Sequence, residues 1–183
     1  YQTRNMKSHK IIVLIISVLI TRSESQTAEG TNYYCEKSPN KCTLKNFNNY
    51  NEFVNFLSTT RKVIFPSRHY YDQESSLSEF IEVEIQNSQF DKFPPTFFSK
   101  FSGISKLFLQ DVGLKDIGSE DFSSAGNLQT LNLQQNKIKS LENVQFIYLK
   151  NLEEINLSHN EISSIHDGAF YKLSKNIKLI DLS

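Results

Sequence analysis

The sequence predicts an α/β solenoid. It would stack similar turns, with a parallel β-sheet on the concave face, an irregular and short-helical convex side, and an N-terminal disulfide cap. Three observations predict it. Phenylalanine recurs every 24 residues, at Phe98, Phe122, Phe146 and Phe170. Three further apolar columns keep the same interval of 24: Phe80, Ile104, Leu128 and Leu152; Val83, Leu107, Leu131 and Ile155; Ile85, Leu109, Leu133 and Leu157. Within each unit, apolar and polar residues alternate with period two, the pattern of a strand with one buried face. A fixed interval of this size marks units that bury a shared core by stacking, and such stacks work by presenting a surface.

The first methionine is Met6, and residues 1–5 read as upstream, untranslated-like sequence. Residues 6–25 read as a secretory signal peptide: Lys7 and Lys10 lead a ten-residue apolar run (IIVLIISVLI), and Ser23-Glu24-Ser25 offers a small-x-small cleavage pattern. As a helix that run spans about 15 Å, too short for the ~30 Å of a bilayer's hydrocarbon core. The mature chain is expected to start near Gln26 and to be extracellular. No later segment is apolar enough to span a membrane.

Residues 26–79 lack the interval and read as an N-terminal cap on the first turn. Cys35 and Cys42 are the two cysteines, and in a secreted chain so close a pair reads as a disulfide. Two cysteines without a nearby histidine are half a zinc site at most, so no metal is expected, and no cofactor. The apolar stretches 53–57 and 62–65 are the expected covering pieces. NFNNYN at 46–51 reads as a turn, and SRHYYDQESSLS at 67–78 as a polar loop.

Residues 80–183 divide into turns 80–103, 104–127, 128–151 and 152–176, with a partial turn at 177–183. The template is L-x-x-L-x-L-x-x-N-x-L. Leu131, Leu133, Asn136, Ile138 and Leu141 fill it in LNLQQNKIKSL, and Ile155, Leu157, Asn160, Ile162 and Ile165 fill it in INLSHNEISSI. On these residues the chain resembles the leucine-rich repeat family. Asn136 and Asn160 stand where the strand bends away, and their amides are expected to bond backbone groups there. Ser88 and Val112 occupy that position in the first two turns. Valine has no polar group to offer, which predicts a softer turn around Val112. Phe80, Phe90, Phe93, Phe98 and Phe101 crowd the first turn and read as an enlarged core beside the cap. Ile177, Ile180 and Leu182 begin a fifth turn that stops at Ser183, so the sequence reads as a C-terminally truncated fragment.

The outward strand positions define the expected binding face: Glu82, Glu84, Gln86; Lys106, Phe108, Gln110; Thr130, Asn132, Gln134; Glu154, Asn156, Ser158. Gln86, Gln110 and Gln134 form a column. With Asp111, Glu153 and Asp181 nearby, the face reads as mildly acidic, with Phe108 as an exposed anchor. A protein partner is expected there. Formal net charge is zero and no basic cluster appears, which argues against nucleic acid. Asn156-Leu157-Ser158 is the one N-glycosylation sequon. Ser158, His159 and Asp181 can be drawn as a hydrolytic triad, but on an open sheet without an oxyanion hole, so no enzyme activity is expected. His166-Asp167-Gly168 reads as a turn.

The signal, the close cysteine pair and the first turn IEVEIQNSQFDKFPPTFF together resemble insect secreted leucine-rich-repeat immune proteins. That resemblance implies circulation in haemolymph, an innate immune role, and disulfide-linked pairing through a cysteine region and coiled coil beyond the repeats. The alternative is the ectodomain of a Toll-like or adhesive membrane receptor. More distant is a repeat region attached to an unseen catalytic domain.

Overall fold

The computed structural model describes residues 26–27, 31–32, 41–59, 62–65, 73–142 and 145–183. The expected signal peptide and Cys35 lie outside them. The chain begins with a short antiparallel pair, β1 (Gln26–Thr27) and β2 (Thr31–Asn32). Then come β3 (Lys41–Lys45), helix α1 (Tyr50–Thr59), and an antiparallel hairpin of β4 (Lys62–Phe65) and β5 (Gln73–Ser76). The repeats supply β6 (Glu82–Gln86), the short helix α2 (Phe97–Lys100), β7 (Lys106–Phe108), β8 (Thr130–Asn132), β9 (Ser140–Leu141), β10 (Glu154–Asn156), β11 (Ser164–Ile165) and β12 (Leu179–Asp181).

Six strands form one parallel sheet in the order β12-β10-β8-β7-β6-β3. Its register is that of the apolar columns: Val83 pairs with Leu107, Leu107 with Leu131, Leu131 with Ile155, and Ile155 with Ile180. The last step is 25 residues rather than 24, and the return leg absorbs the extra one without disturbing the ladder. Alternation places Val83, Ile85, Leu107, Leu109, Leu131, Leu133, Ile155 and Leu157 inside, each at most 1% exposed. The recurring phenylalanines enter from the opposite wall and form a continuous file. Ring centroids are 6.1 Å apart for Phe98–Phe122, 6.2 Å for Phe122–Phe146 and 5.7 Å for Phe146–Phe170, within the favourable aromatic range. The convex side carries α2, a 3-10 turn at Ser119–Phe122 and the two-residue parallel pair of β9 and β11. At the far end Ile165, Ile180 and Leu182 occupy inward positions but are 45%, 37% and 45% exposed, because among the described residues nothing packs over them.

Each turn leaves the sheet through one left-handed residue. Asn87, Asp111, Gln135 and His159 have φ of 48°, 53°, 57° and 55°, and Asn46 after β3 has 66°. The asparagine next to this bend works across turns. Asn136 Oδ1 accepts the N–H groups of Val112 (3.2 Å) and Leu114 (3.1 Å), while its Nδ2 donates to the carbonyls of Leu109 (2.7 Å), Leu133 (2.9 Å) and Gln134 (3.3 Å). Asn160 repeats the pattern one turn on, taking the Ile138 N–H and donating to Leu133, Leu157 and Ser158. This removes the premise of the softer turn: the Val112 backbone is satisfied by Asn136 of the following turn, not by its own side chain. Valine withholds that service from the turn before it, where the Val112 carbonyl accepts the Phe90 N–H instead (2.9 Å). Ser88 performs a reduced version, accepting the Phe47 N–H and donating to the Gln86 carbonyl. A second amide file runs on the return leg, where Asn127 donates to the Ser102 carbonyl and Asn151 to that of Gly126.

The segment ahead of the repeats is built into the stack. β3 runs parallel to β6 as a further strand of the sheet, with Cys42 in register with Val83. Helix α1 buries Phe53, Phe56 and Leu57, and Phe53 packs on Phe90 at 5.0 Å, Phe97 at 6.0 Å and Phe93 at 6.2 Å. The crowded phenylalanines of the first turn are core: Phe80, Phe90, Phe93, Phe98 and Phe101 are at most 4% exposed. Two expectations are corrected. The turn at 46–51 ends early, because Asn49 caps a helix that begins at Tyr50: its Oδ1 accepts the Glu52 N–H (3.0 Å), and the Glu52 carboxylate accepts the Asn48 N–H (2.8 Å). The loop at 67–78 is ordered structure from Gln73, where QESS pairs with KVIF and Leu77 in the next turn is buried; a hairpin partner needs only backbone groups, so its polarity hid it.

Candidate protein-binding face

The sheet brings the outward residues of successive turns into three rows. Glu82, Lys106, Thr130 and Glu154 align in one, and Glu84, Phe108, Asn132 and Asn156 in the next. Gln86, Gln110, Gln134 and Ser158 stand at the strand ends. Lys106, Gln110 and Glu154 are exposed, and the others are half-buried except Ser158.

Ser158 does not belong to the face. It is 2% exposed, because Asn156 Oδ1 accepts both its N–H (2.9 Å) and its hydroxyl (2.6 Å) and folds it inward. Asn132 makes the same backbone turn with Gln134, and Asp181 with Ser183. The paper triad is therefore not assembled: Ser158 Oγ is committed to Asn156, and the hydrogen bonds of Ser183 to Asp181, from backbone first and then side chain, hold that carboxyl below its ordinary value. The sequon side chain of Asn156 is half-buried. The glutamine column is not a mutual ladder either, since Gln86 donates to Glu84 (2.7 Å) and Gln110 to Gln135 (2.6 Å).

Sequence reasoning missed two lysines. β3 extends the face, placing Lys41 beside Glu82 and Lys45 beside Gln86. The 41-residue step from β3 to β6, against 24 or 25 elsewhere in the sheet, hid this strand from the interval. The Lys41 ammonium lies 2.8 Å from Glu82 and 3.2 Å from Glu84, and Glu153 pairs with Lys178 at 2.6 Å. The expected acidity is thus partly neutralised at both ends of the sheet. Burial pushes the Glu84 carboxyl up, but hydrogen bonds from Gln86 and Lys41 and the positive charges of Lys41 and Lys45 together outweigh it, and the carboxyl is held below its ordinary value. The hydrogen bond to Glu82 raises Lys41 against a smaller effect of burial.

Phe108 is half-buried rather than an exposed anchor. It lines an open hollow of about 390 Å³ together with Glu84, Gln86, Gln110, Asp111 and Gln135. Cys42 is fully buried on β3, and its expected partner Cys35 lies outside the described residues. Among the described residues no group of three or more His, Cys, Asp or Glu is placed to hold a metal ion, and no helix is long and apolar enough to cross a membrane.

These features define a leucine-rich repeat solenoid with an open face. Residues 126–183 match the family model described as "Leucine rich repeat". No curated protein matches the chain. Among solved structures the fold is similar to a chain in the crystal structure of a TLR13-ssRNA13 complex, at 22% identity and a TM-score of 0.49. That likeness covers 57% of this chain and 18% of the other.

Proposed function

We propose that this is a secreted protein whose concave face binds a protein partner, with a role in innate immunity. The observation that carries the reading is the face itself. Parallel strands from successive turns bring Lys106, Phe108, Thr130, Asn132 and Glu154 together on one open sheet, with a hollow where β6 and β7 run into their bends. Solenoids bind through such extended surfaces. Secretion rests on residues 6–25 and on Cys35 and Cys42, which we pair as a disulfide of the oxidising extracellular space. The immune role rests on the resemblance of residues 81–98 to insect secreted immune proteins, as does pairing of two chains through regions beyond Ser183. Asn156 is the proposed glycan site, and an occupied glycan would confine the partner to the end of the face nearer Phe108.

Photo-crosslinking amino acids at Lys106, Thr130 and Glu154, against controls at Ser99 and Ser123, test the reading in the extracellular fluid of the source. Cross-links to a discrete protein from the first set alone support it; cross-links from the second set alone contradict it. In the same preparation, N-terminal sequencing should begin near Gln26, and a mass shift on deglycosylation should vanish in Asn156→Gln.

A further inference from the structure

We propose that the hollow around Phe108 takes an arginine side chain of the protein partner. This rests on the reading of the face as protein-binding and names the chemistry of one contact.

Phe108 is the one aromatic residue among the twelve outward strand positions named above, and it lines the hollow. Glu84 is its in-register neighbour on β6. Asp111 follows on the left-handed bend after β7, with φ of 53°, and its side chain is exposed. Gln110 and Gln135, joined at 2.6 Å, line it as well. The site therefore combines an aromatic surface, two carboxylates and amide oxygens, and among the described residues none that lines it is cationic.

Each part selects against other side chains. An apolar group would strip water from two carboxylates without replacing their hydrogen bonds. A carboxylate or phosphate would face like charge. A guanidinium is planar, stacks on an aromatic face and carries five donors in a fork, so it can lie on Phe108 while bonding Asp111 and the amide oxygens. An ammonium is a compact, strongly hydrated charge and uses the ring less well. Lys41 does not fill the place. Its ammonium is held between Glu82 and Glu84, reaching one Glu84 oxygen (Oε2) from the β3 side, while Gln86 occupies the other. A carboxylate accepts about four hydrogen bonds, so Glu84 retains capacity toward the hollow.

The test titrates the isotopically labelled chain with N-acetylarginine amide, N-acetyllysine amide and N-acetylcitrulline amide, following backbone and side-chain amide signals by NMR. The expected result is saturable shifts at Gln110, Asp111 and Gln135 with the arginine probe, weaker ones with lysine and none with citrulline, which keeps the shape but not the charge. Phe108→Leu keeps an apolar side chain without the aromatic face and should weaken arginine binding by about fivefold; Asp111→Asn should weaken it while leaving the other spectra unchanged. Equal responses to arginine and citrulline, or no saturable shift at the hollow, overturn the proposal. In that event the cross-linking result separates the two ideas: cross-links at Lys106 and Glu154 leave the face standing without this contact, and their absence removes both.

Discussion

Asn136 shows how one side chain replaces what the bend takes from the backbone. It makes five hydrogen bonds, four of them to groups of strand ends and bends that no ladder reaches. Alanine there strands buried donors on Val112 and Leu114. Asn136→Ala should lower unfolding free energy by about 3 kcal/mol, read by urea denaturation, and should release the Val112 and Leu114 amides to hydrogen exchange. A loss under about 1 kcal/mol would mean water or relaxation replaces these bonds. Gly103 has a different reason: a Cβ there would lie 2.3 Å from the Ser78 carbonyl oxygen, whereas one on Gly126 would meet nothing within 4 Å. Gly103→Ala should cost about 2 kcal/mol and Gly126→Ala within about 0.5 kcal/mol of zero; equal thermal midpoints for the two variants would contradict the close approach. The role of Asn136 was legible in LNLQQNKIKSL, but its direction was not. The template says an amide is needed near the bend, and only the stacking shows that it serves the preceding turn.

At the scale of elements, the joint between helix α1 and the repeats decides how the first turn is protected. Helix α1 sets Phe53 among Phe47, Phe90, Phe93 and Phe97. Phe53→Ala should cost about 3–5 kcal/mol, measured by denaturation, with hydrogen exchange rising first in β3 and β6. The same joint has a charge component. Glu84 titrates below its ordinary value in the folded chain, so the unfolded chain binds more protons in the acid range and stability rises with pH there. Its contribution is present above the ordinary carboxylate range and is lost as pH falls through the lowered value. Lys41→Met should flatten the fall of the thermal midpoint between about pH 5 and pH 3; an unchanged slope would mean the pair contributes nothing. α1 could have been read from the chain, since Asn49 and Glu52 have capping spacing and Phe53, Phe56 and Leu57 follow at helical intervals. The run of asparagines, each a turn former on its own, masked it. β5 could not have been read, because QESS carries no alternation and its strand is dictated by β4.

For the whole molecule, the account depends on residue-for-residue stacking. The interval made the sheet, its register and the phenylalanine file legible, because a shared core forces each turn to repeat the one before it. The face was legible as a set of outward positions, but its electrostatics were not: Lys41 lies outside the interval, and Ser158 turns inward through a hydrogen bond that alternation does not encode. The most direct test is scalar coupling across the inter-turn hydrogen bonds, from the Leu109 nitrogen to the Asn132 carbonyl, from Leu133 to Asn156 and from Leu157 to Asp181. The stacked solenoid requires all three couplings in one folded species. Their absence, or couplings four residues apart along 128–160 as in a long helix, would contradict it.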